Sequence, residues 1–491
     1  MNLFYTATDH FVLSPAIQLA FWGCAILLLD TWLIPDPRKR RWLVPIFVLP
    51  AIVLTAVALG KQHAYLVSEG AREISAFNGA LTVDGFALFF NWVFLIATLI
   101  VSIVSYRYLE IEGEHHGEYY GLILLANCGM FFLATGADLV TLFVGLELMA
   151  LCFYVMVGFL RGERRSNEAA LKYLILGAFS SALLVYGFSL FYGLAGSTKL
   201  SVIVKAMQGR DPWDPVLFLA MATTSVGLLF KISAAPFHMW APDAYEGAPT
   251  TTTAYLSVAS KAASIAFLLR IFLGPLDVAR PAWEPLLAFV AILTMTVGNF
   301  AALTQTNIKR LLAYSSISHA GYMLLGLIAG NDTGLKGIAV YVLVYTFMNL
   351  GAFLVVIALR RQNIIGEDVA DLAGLAKRHP GYALLMLVFL LSLAGIPPTA
   401  GFLGKYYIFL SLVETGHYVL AVIGTLYVAV AIYYYFRIVR SMYLEEAAAD
   451  TAPLASTVGL RFAVGVSGLL TLCIGIYPEP FLRLAQTSLL K

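Results

Sequence analysis

The sequence has 491 residues and a formal net charge of +2, with 60% hydrophobic and 12% charged residues, against roughly 25% charged in a soluble domain. That balance identifies a polytopic membrane protein, and it excludes a nucleic-acid partner because the basic residues cap apolar runs instead of forming a stripe. Cys24, Cys128, Cys152 and Cys473 each stand alone in an apolar run, so neither metal-ligand spacing nor a disulfide framework is expected.

A span needs about 20 mostly apolar residues, and fourteen such stretches are predicted. They cover 13–34, 42–60, 84–106, 118–136, 139–160, 168–194, 214–240, 250–273, 281–303, 310–330, 336–360, 380–412, 417–441 and 457–484. The first is too long for a signal-peptide core and has no basic region before it, which makes it a retained span. Gly136, Ala137 and Asp138 alone separate the fourth from the fifth.

Basic residues set the orientation. With the N-terminus outside, sixteen Lys and Arg fall in inner loops: Arg38, Lys39, Arg40, Arg41, Arg107, Arg161, Arg164, Arg165, Lys309, Arg310, Arg360, Arg361, Lys377, Arg378, Arg437 and Arg440. Nine fall outside, among them Arg72, Lys199, Arg280 and Lys491. Both termini are therefore expected on the periplasmic side. The remaining six lie within spans: Lys172, Lys231, Lys261, Arg270, Lys405 and Arg461. Arg270 and Arg461 are near span ends, where snorkelling explains them.

Two spans carry breaks. Lys231 precedes Pro236 by five residues in KISAAPFHMWAPDAYEGAPT; proline lacks a donor and clashes with the carbonyl four residues back, so the helix should open near Ile232. Pro397 and Pro398 in LSLAGIPPTAGFLGKYYIF do the same, with Lys405 two turns into the resumed helix. An interrupted transmembrane helix beside an ionisable group is the expected trace of a mid-membrane ion site; the alternative is a proline kink with a snorkelling lysine. The 161-residue offset between Pro236 and Pro397 also relates spans four to eight with spans nine to thirteen. Five crossings per copy makes the copies inverted. The expected organisation is a three-helix segment (1–117), repeat 1 (118–273), repeat 2 (274–441) and a C-terminal loop with a last helix (442–491).

Glu147 is the one carboxylate at a span centre, either a relay group or a neutral acid hydrogen-bonded to backbone. An unpaired charge there costs roughly 2.5–3.5 kcal/mol, so Glu147 and the lysines require partners or water. At about 6 Å and an effective dielectric of about 20, a carboxylate and an ammonium attract by roughly 2–3 kcal/mol. That suffices to switch a buried amine between holding and releasing a proton. The resulting hypothesis is a proton relay in which Glu147 tunes Lys231, Lys172 and Lys261 connect the inner side to the second unit, and Lys405 is the exit group. Lys172 is equally consistent with an interfacial position. His238 and His319 could bridge these groups, although a lone histidine on an apolar helix is first a packed hydrogen-bonder. No Walker loop, dinucleotide fingerprint, C-x-x-C or H-E-x-x-H occurs, so no nucleotide, flavin, iron–sulfur cluster or zinc is expected in this chain.

The runs GLELMALCFYVMVGFLR, SNEAALKYLILGAF, KISAAPFHMWAPDAYEGAPT, SVASKAASIAFLLRIF, NIKRLLAYSSISHAGYMLLG and LAGIPPTAGFLGKYYIF together resemble the subunit N family of bacterial proton-translocating NADH:quinone oxidoreductase, respiratory complex I. The resemblance extends over essentially the whole chain. It implies an all-α antiporter-like subunit of about fourteen helices with two inverted five-helix repeats, each with a broken helix. Glu147, Lys231, Lys261 and Lys405 fall on the family's key positions, with Lys172 a further connecting lysine. It further implies NAD, FMN, iron–sulfur clusters and quinone in partner subunits, neighbours including antiporter-like subunit M and small membrane subunits, and a bacterial inner membrane. A multi-subunit sodium/proton antiporter, which shares the core, is the alternative, and a scaffold that moves no ions is a third.

Overall fold

The computed structural model describes residues 5–33, 37–114, 117–360, 366–446, 454 and 456–487. Arg361 and Lys491 lie outside them, as do the side chains of Arg38, Lys39, Arg40 and Arg41. In chain order, α1 (Ala7–Leu28) continues into a π-helical turn (Leu29–Leu33), and α2 (Pro37–Glu69) returns. A hairpin of β1 (Glu73–Ala76) and β2 (Leu81–Asp84) leads into α3 (Gly85–Glu112). Thr6 and Asp9 form a reciprocal capping box at the start of α1. The Asp9 carboxylate also accepts the Phe77 N–H at 2.6 Å, tying the hairpin to the helix start. The all-α expectation missed this hairpin, because two four-residue strands are too short for a period-2 signal.

Next come α4 (Glu118–Thr135), α5 (Leu139–Val157), α6 (Arg164–Ala195) and the short α7 (Leu200–Met207). The narrow gap between α4 and α5 holds: Gly136 ends one and the Asp138 side chain caps the other. The first broken span is α8 (Pro215–Lys231) and α9 (Trp240–Gly247); α10 (Thr250–Tyr255), a π-helical turn (Leu256–Ser260) and α11 (Lys261–Phe272) make one continuous crossing after it. The chain continues with α12 (Arg280–Ala302), α13 (Ile308–Ala329), α14 (Asp332–Leu359) and a single turn, α15 (Leu375–Arg378). The second broken span is α16 (Pro380–Ala394) and α17 (Ala400–Glu414), followed by α18 (Tyr418–Leu444), α19 (Val458–Ile476) and α20 (Glu479–Thr487).

Among the described residues, twelve helices are long and apolar enough to cross a membrane, and the shorter Pro215–Lys231 and Pro380–Ala394 are the first halves of the broken spans. These account for the fourteen predicted crossings. The crossing 250–272 together with α13 and α14 is almost wholly buried. The outer helices leave apolar side chains such as Phe179, Phe289 and Val422 exposed, as expected for faces turned to lipid or neighbouring subunits.

Both breaks occur where proline chemistry puts them. The last residue of α8 is Lys231 and its C-cap is Ile232. The Trp240 indole N–H, at the start of α9, donates to the freed Phe230 carbonyl at 2.9 Å, and Ala235 N–H donates to Thr294 Oγ1 at 2.9 Å. In the second break Gly395 takes φ +84°, a left-handed conformation natural to glycine, and the Ser392 hydroxyl accepts the Gly401 N–H across the gap. Backbone opened inside a membrane must find partners in the protein, and in both breaks it does.

Arg270 corrects one expectation. It does not snorkel: its side chain is 9% exposed and pairs with Asp84 at 3.0 Å, donates to the Ala134 carbonyl and lies over the Phe86 ring. Buried ion pairs of this kind satisfy a guanidinium without lipid contact. Asp84 is 186 residues away in sequence, so no local pattern points to the pairing.

Candidate functional site

The first half of the site is built on α5, α6 and α8. Glu147, midway along α5, is half-buried and accepts a 2.5 Å hydrogen bond from the Ser181 hydroxyl of α6. Tyr154 lies two turns farther along α5 on the same face, and its hydroxyl accepts from Lys231 Nζ at 3.3 Å. Lys231 is buried, with its ammonium 5.6 Å from the centre of the Tyr154 ring. The structure gives Glu147 and Lys231 no direct ion pair; Glu147 is bonded to Ser181 and Lys231 to Tyr154. Thr224 Oγ1, two turns before Lys231 on α8, and Ser233 Oγ are buried with no hydrogen-bond partner among the described residues. Buried hydroxyls in this situation are ordinarily satisfied by ordered water.

Lys172 sits elsewhere. It is 46% exposed, and its ammonium pairs with Asp243 at 2.8 Å and Glu168 at 2.9 Å. Together with Arg165, Glu246 and Gly247 these residues line a cavity of about 180 Å³. Arg310 bonds both Asp243 and Glu246, at 2.8 and 3.0 Å, and Arg165 pairs with Glu246. The Asp243 carboxylate is thus held between the Lys172 ammonium and the Arg310 guanidinium. From this charged mouth, Tyr173, beside Lys172 in sequence, reaches inward to stack on Trp240 and meets Tyr154 edge-on.

At the centre, Lys261 follows the π-helical turn and is 3% exposed. Its ammonium donates to the Ser316 carbonyl at 2.7 Å and hydroxyl at 2.5 Å, on α13. The Tyr345 hydroxyl is buried with no hydrogen-bond partner among the described residues. One turn before Lys261, Ser257 accepts from Asn349 Nδ2 at 2.8 Å, while Asn349 Oδ1 is buried without a partner among the described residues.

His319, one turn beyond Ser316 on α13, bridges two tyrosines. Its Nδ1 bonds the Tyr341 hydroxyl at 2.5 Å and its Nε2 the Tyr435 hydroxyl at 3.2 Å. Tyr435 continues to Ser315 at 2.5 Å. Both ring nitrogens of His319 are therefore engaged by tyrosine hydroxyls, and the residue is 2% exposed. Lys405 is buried on α17, and its ammonium caps the broken helix by donating to the Leu393 and Ala394 carbonyls at 3.0 and 2.9 Å. It also lies 4.9 Å from the centre of the Tyr322 ring. His238 is half-buried beside Pro236 with Nδ1 unpartnered, and no hydrogen bond joins its side chain to a lysine among the described residues.

Sequence reading missed the aromatic hydroxyls of Tyr154, Tyr341 and Tyr435, and it missed Lys309. Expected in an inner loop, Lys309 is 1% exposed and donates to Glu367 at 2.9 Å and to the Ala248 carbonyl at 2.7 Å. It thus ties the end of α9 to the loop before α15. Nothing local marks it, since its partners come from 58 and 61 residues away. Among the described residues no group of three His, Cys, Asp or Glu side chains is arranged to hold a metal.

Residues 136–431 match the family model described as "NADH:quinone oxidoreductase/Mrp antiporter, TM". Over 490 residues the chain is 72% identical to NADH-quinone oxidoreductase subunit N 2 of Solibacter usitatus, covering 100% of this chain and 99% of that protein. Among solved structures, a chain of respiratory complex I from Thermus thermophilus with bound aureothin is 33% identical, with a TM-score of 0.79 over 96% of this chain and 99% of that one. A chain of the Mrp complex from Dietzia sp. DQ12-45-1b has a TM-score of 0.82 at 20% identity, covering 99% of this chain and 97% of its own. That second likeness shows the fold alone; sequence identity, not shape, separates the two.

Proposed function

The chain belongs to the NADH-quinone oxidoreductase subunit N family, a membrane subunit of the proton-translocating enzyme, and from that premise we propose that its buried Glu/Lys/His row is the proton path. The observation that carries this reading is the sequence of groups itself. Lys231 meets Tyr154 on the helix that carries Glu147, Lys261 meets Ser316, and His319, one turn beyond Ser316, is bonded to Tyr341 and Tyr435. Protons enter at the Lys172–Asp243 mouth and pass to Lys231, whose affinity Glu147 tunes. They then cross by way of Lys261 and His319 to Lys405, with water completing the gaps at Thr224, Ser233 and Asn349. His238 has a weaker place in this path, because its ring is bonded to none of the lysines.

The two broken spans belong to inverted repeats, 118–273 and 274–441, between the N-terminal segment 1–117 and the C-terminal segment 442–491. The subunit sits in a bacterial inner membrane with both termini periplasmic, beside antiporter-like subunit M and small membrane subunits. NAD, FMN, iron–sulfur clusters and quinone reside in partner subunits. Quinone reduction there supplies the energy, roughly 2.3 kcal/mol per charge moved against 100 mV.

Inside-out vesicles containing the assembled complex test this against the antiporter reading. NADH-driven proton uptake is expected to persist in sodium-free medium and to fall at least about tenfold in Glu147→Gln, the loss of roughly 2–3 kcal/mol of pairing. Proton movement that requires a sodium gradient would favour the antiporter. Unchanged uptake in Glu147→Gln would favour a scaffold.

A further inference from the structure

Away from the relay, a cavity of about 560 Å³ opens between α2, α3, α14 and α20. One wall is a single stripe of α3: Gly85, Leu88, Phe89, Trp92, Val93 and Ile96. These recur at three- and four-residue steps, one face of a helix, and the stripe runs from the first residue of α3 inward for about 16 Å at 1.5 Å per residue. That depth matches one leaflet, about half of a 30 Å hydrocarbon core. Leu66 and Val67 of α2, Leu343 of α14 and Leu484 of α20 close the other sides. Two polar side chains also line the cavity, Arg72 in the turn before β1 and His63 on α2, both exposed, and Arg72 makes no hydrogen bond or ion pair with another described residue.

We propose that this groove binds an anionic phospholipid of the leaflet on the side of the chain termini, with its phosphate at Arg72 and His63 and one acyl chain along α3. Two observations choose this occupant. The stripe is apolar over a leaflet's depth, which fits an acyl chain. A lone guanidinium at the headgroup level fits a phosphate, with which it forms charge-assisted, bidentate bonds; a quinone tail carries no anion for it.

The inference is independent of the relay, because none of its residues carries a proton step there. It is tested on the whole complex purified in detergent, incubated with phosphatidylglycerol bearing a diazirine on one acyl chain, or with a diacylglycerol bearing the same group. After photolysis, mass spectrometry reads the label on the peptide containing residues 85–96. Phosphatidylglycerol is expected to label that peptide in the wild type at least about tenfold more than diacylglycerol does, as a charge-assisted bond implies. Arg72→Glu should abolish this preference and Leu88→Trp should remove the label, with NADH-driven proton uptake near wild type in both. Should Leu88→Trp fail to assemble, the exposed Arg72→Glu still decides. An unlabelled wild-type peptide would mean a neighbouring subunit or a quinone tail fills the groove, and equal labelling by the two lipids, or by Arg72→Glu, would equally overturn the proposal.

Discussion

Replacing Lys231 by methionine is expected to slow NADH-driven proton translocation by about a hundredfold while the complex still assembles. The structural cost is small because the Lys231 ammonium makes one hydrogen bond, to Tyr154 at 3.3 Å, and removing a buried charge in favour of an apolar side chain of similar length is often neutral or stabilising. Only a tyrosine hydroxyl loses a partner, worth about 1 kcal/mol. The transport cost is large. Without a carrier at the break, charge crosses that gap against a barrier higher by roughly 2.5–3.5 kcal/mol, which is about two orders of magnitude in rate. Proton uptake and complex content measured on the same membranes check both halves. Wild-type uptake in a fully assembled Lys231→Met complex would remove Lys231 from the path.

Lys405 should respond differently, because its ammonium does two jobs. It carries charge, and it satisfies the Leu393 and Ala394 carbonyls left open at the end of α16. Lys405→Met is expected to lose both, leaving two buried acceptors unpaired at about 1–3 kcal/mol each, so assembly falls along with pumping. Lys405→Gln keeps a donor near those carbonyls without the charge. It should restore much of the assembled complex and leave proton uptake about a hundredfold low, on the same charge-transfer argument. Blue-native gels and uptake assays on the two variants separate the roles; glutamine restoring uptake together with assembly would make Lys405 a helix cap and nothing more.

The contrast between these two lysines shows what a sequence of this kind discloses. Both breaks are written locally, in Pro236 and in Pro397 with Pro398, because a missing donor and a ring clash act within one turn. The end of α8 at Lys231 followed from that alone. Glu147, Lys261 and Lys405 stand out because a charge in an apolar run is costly wherever the chain folds. The wiring between them is tertiary. His319 was visible, but Tyr341 and Tyr435, which hold both its nitrogens, lie 22 and 116 residues away. Arg270 was misread, and the partner of Lys309 was missed, for the same reason, since Asp84 and Glu367 reach them only in the fold. Lys172 stood open between two positions because two turns into a helix is close enough to the surface for a long side chain to reach water. The π-helical turn before Lys261 has no residue signature; LSVAS contains neither proline nor glycine.

The most direct test is the number of protons moved per electron by the Lys261→Met complex. Lys261 joins the two halves, and its bonds are to Ser316 alone, whose carbonyl also belongs to the α13 ladder, so methionine should leave the fold intact. The proton-to-electron ratio is expected to fall well below that of the wild type while the partner subunits still oxidise NADH with an artificial acceptor. An assembled Lys261→Met complex that pumps at the wild-type ratio would contradict a path through the middle of this subunit.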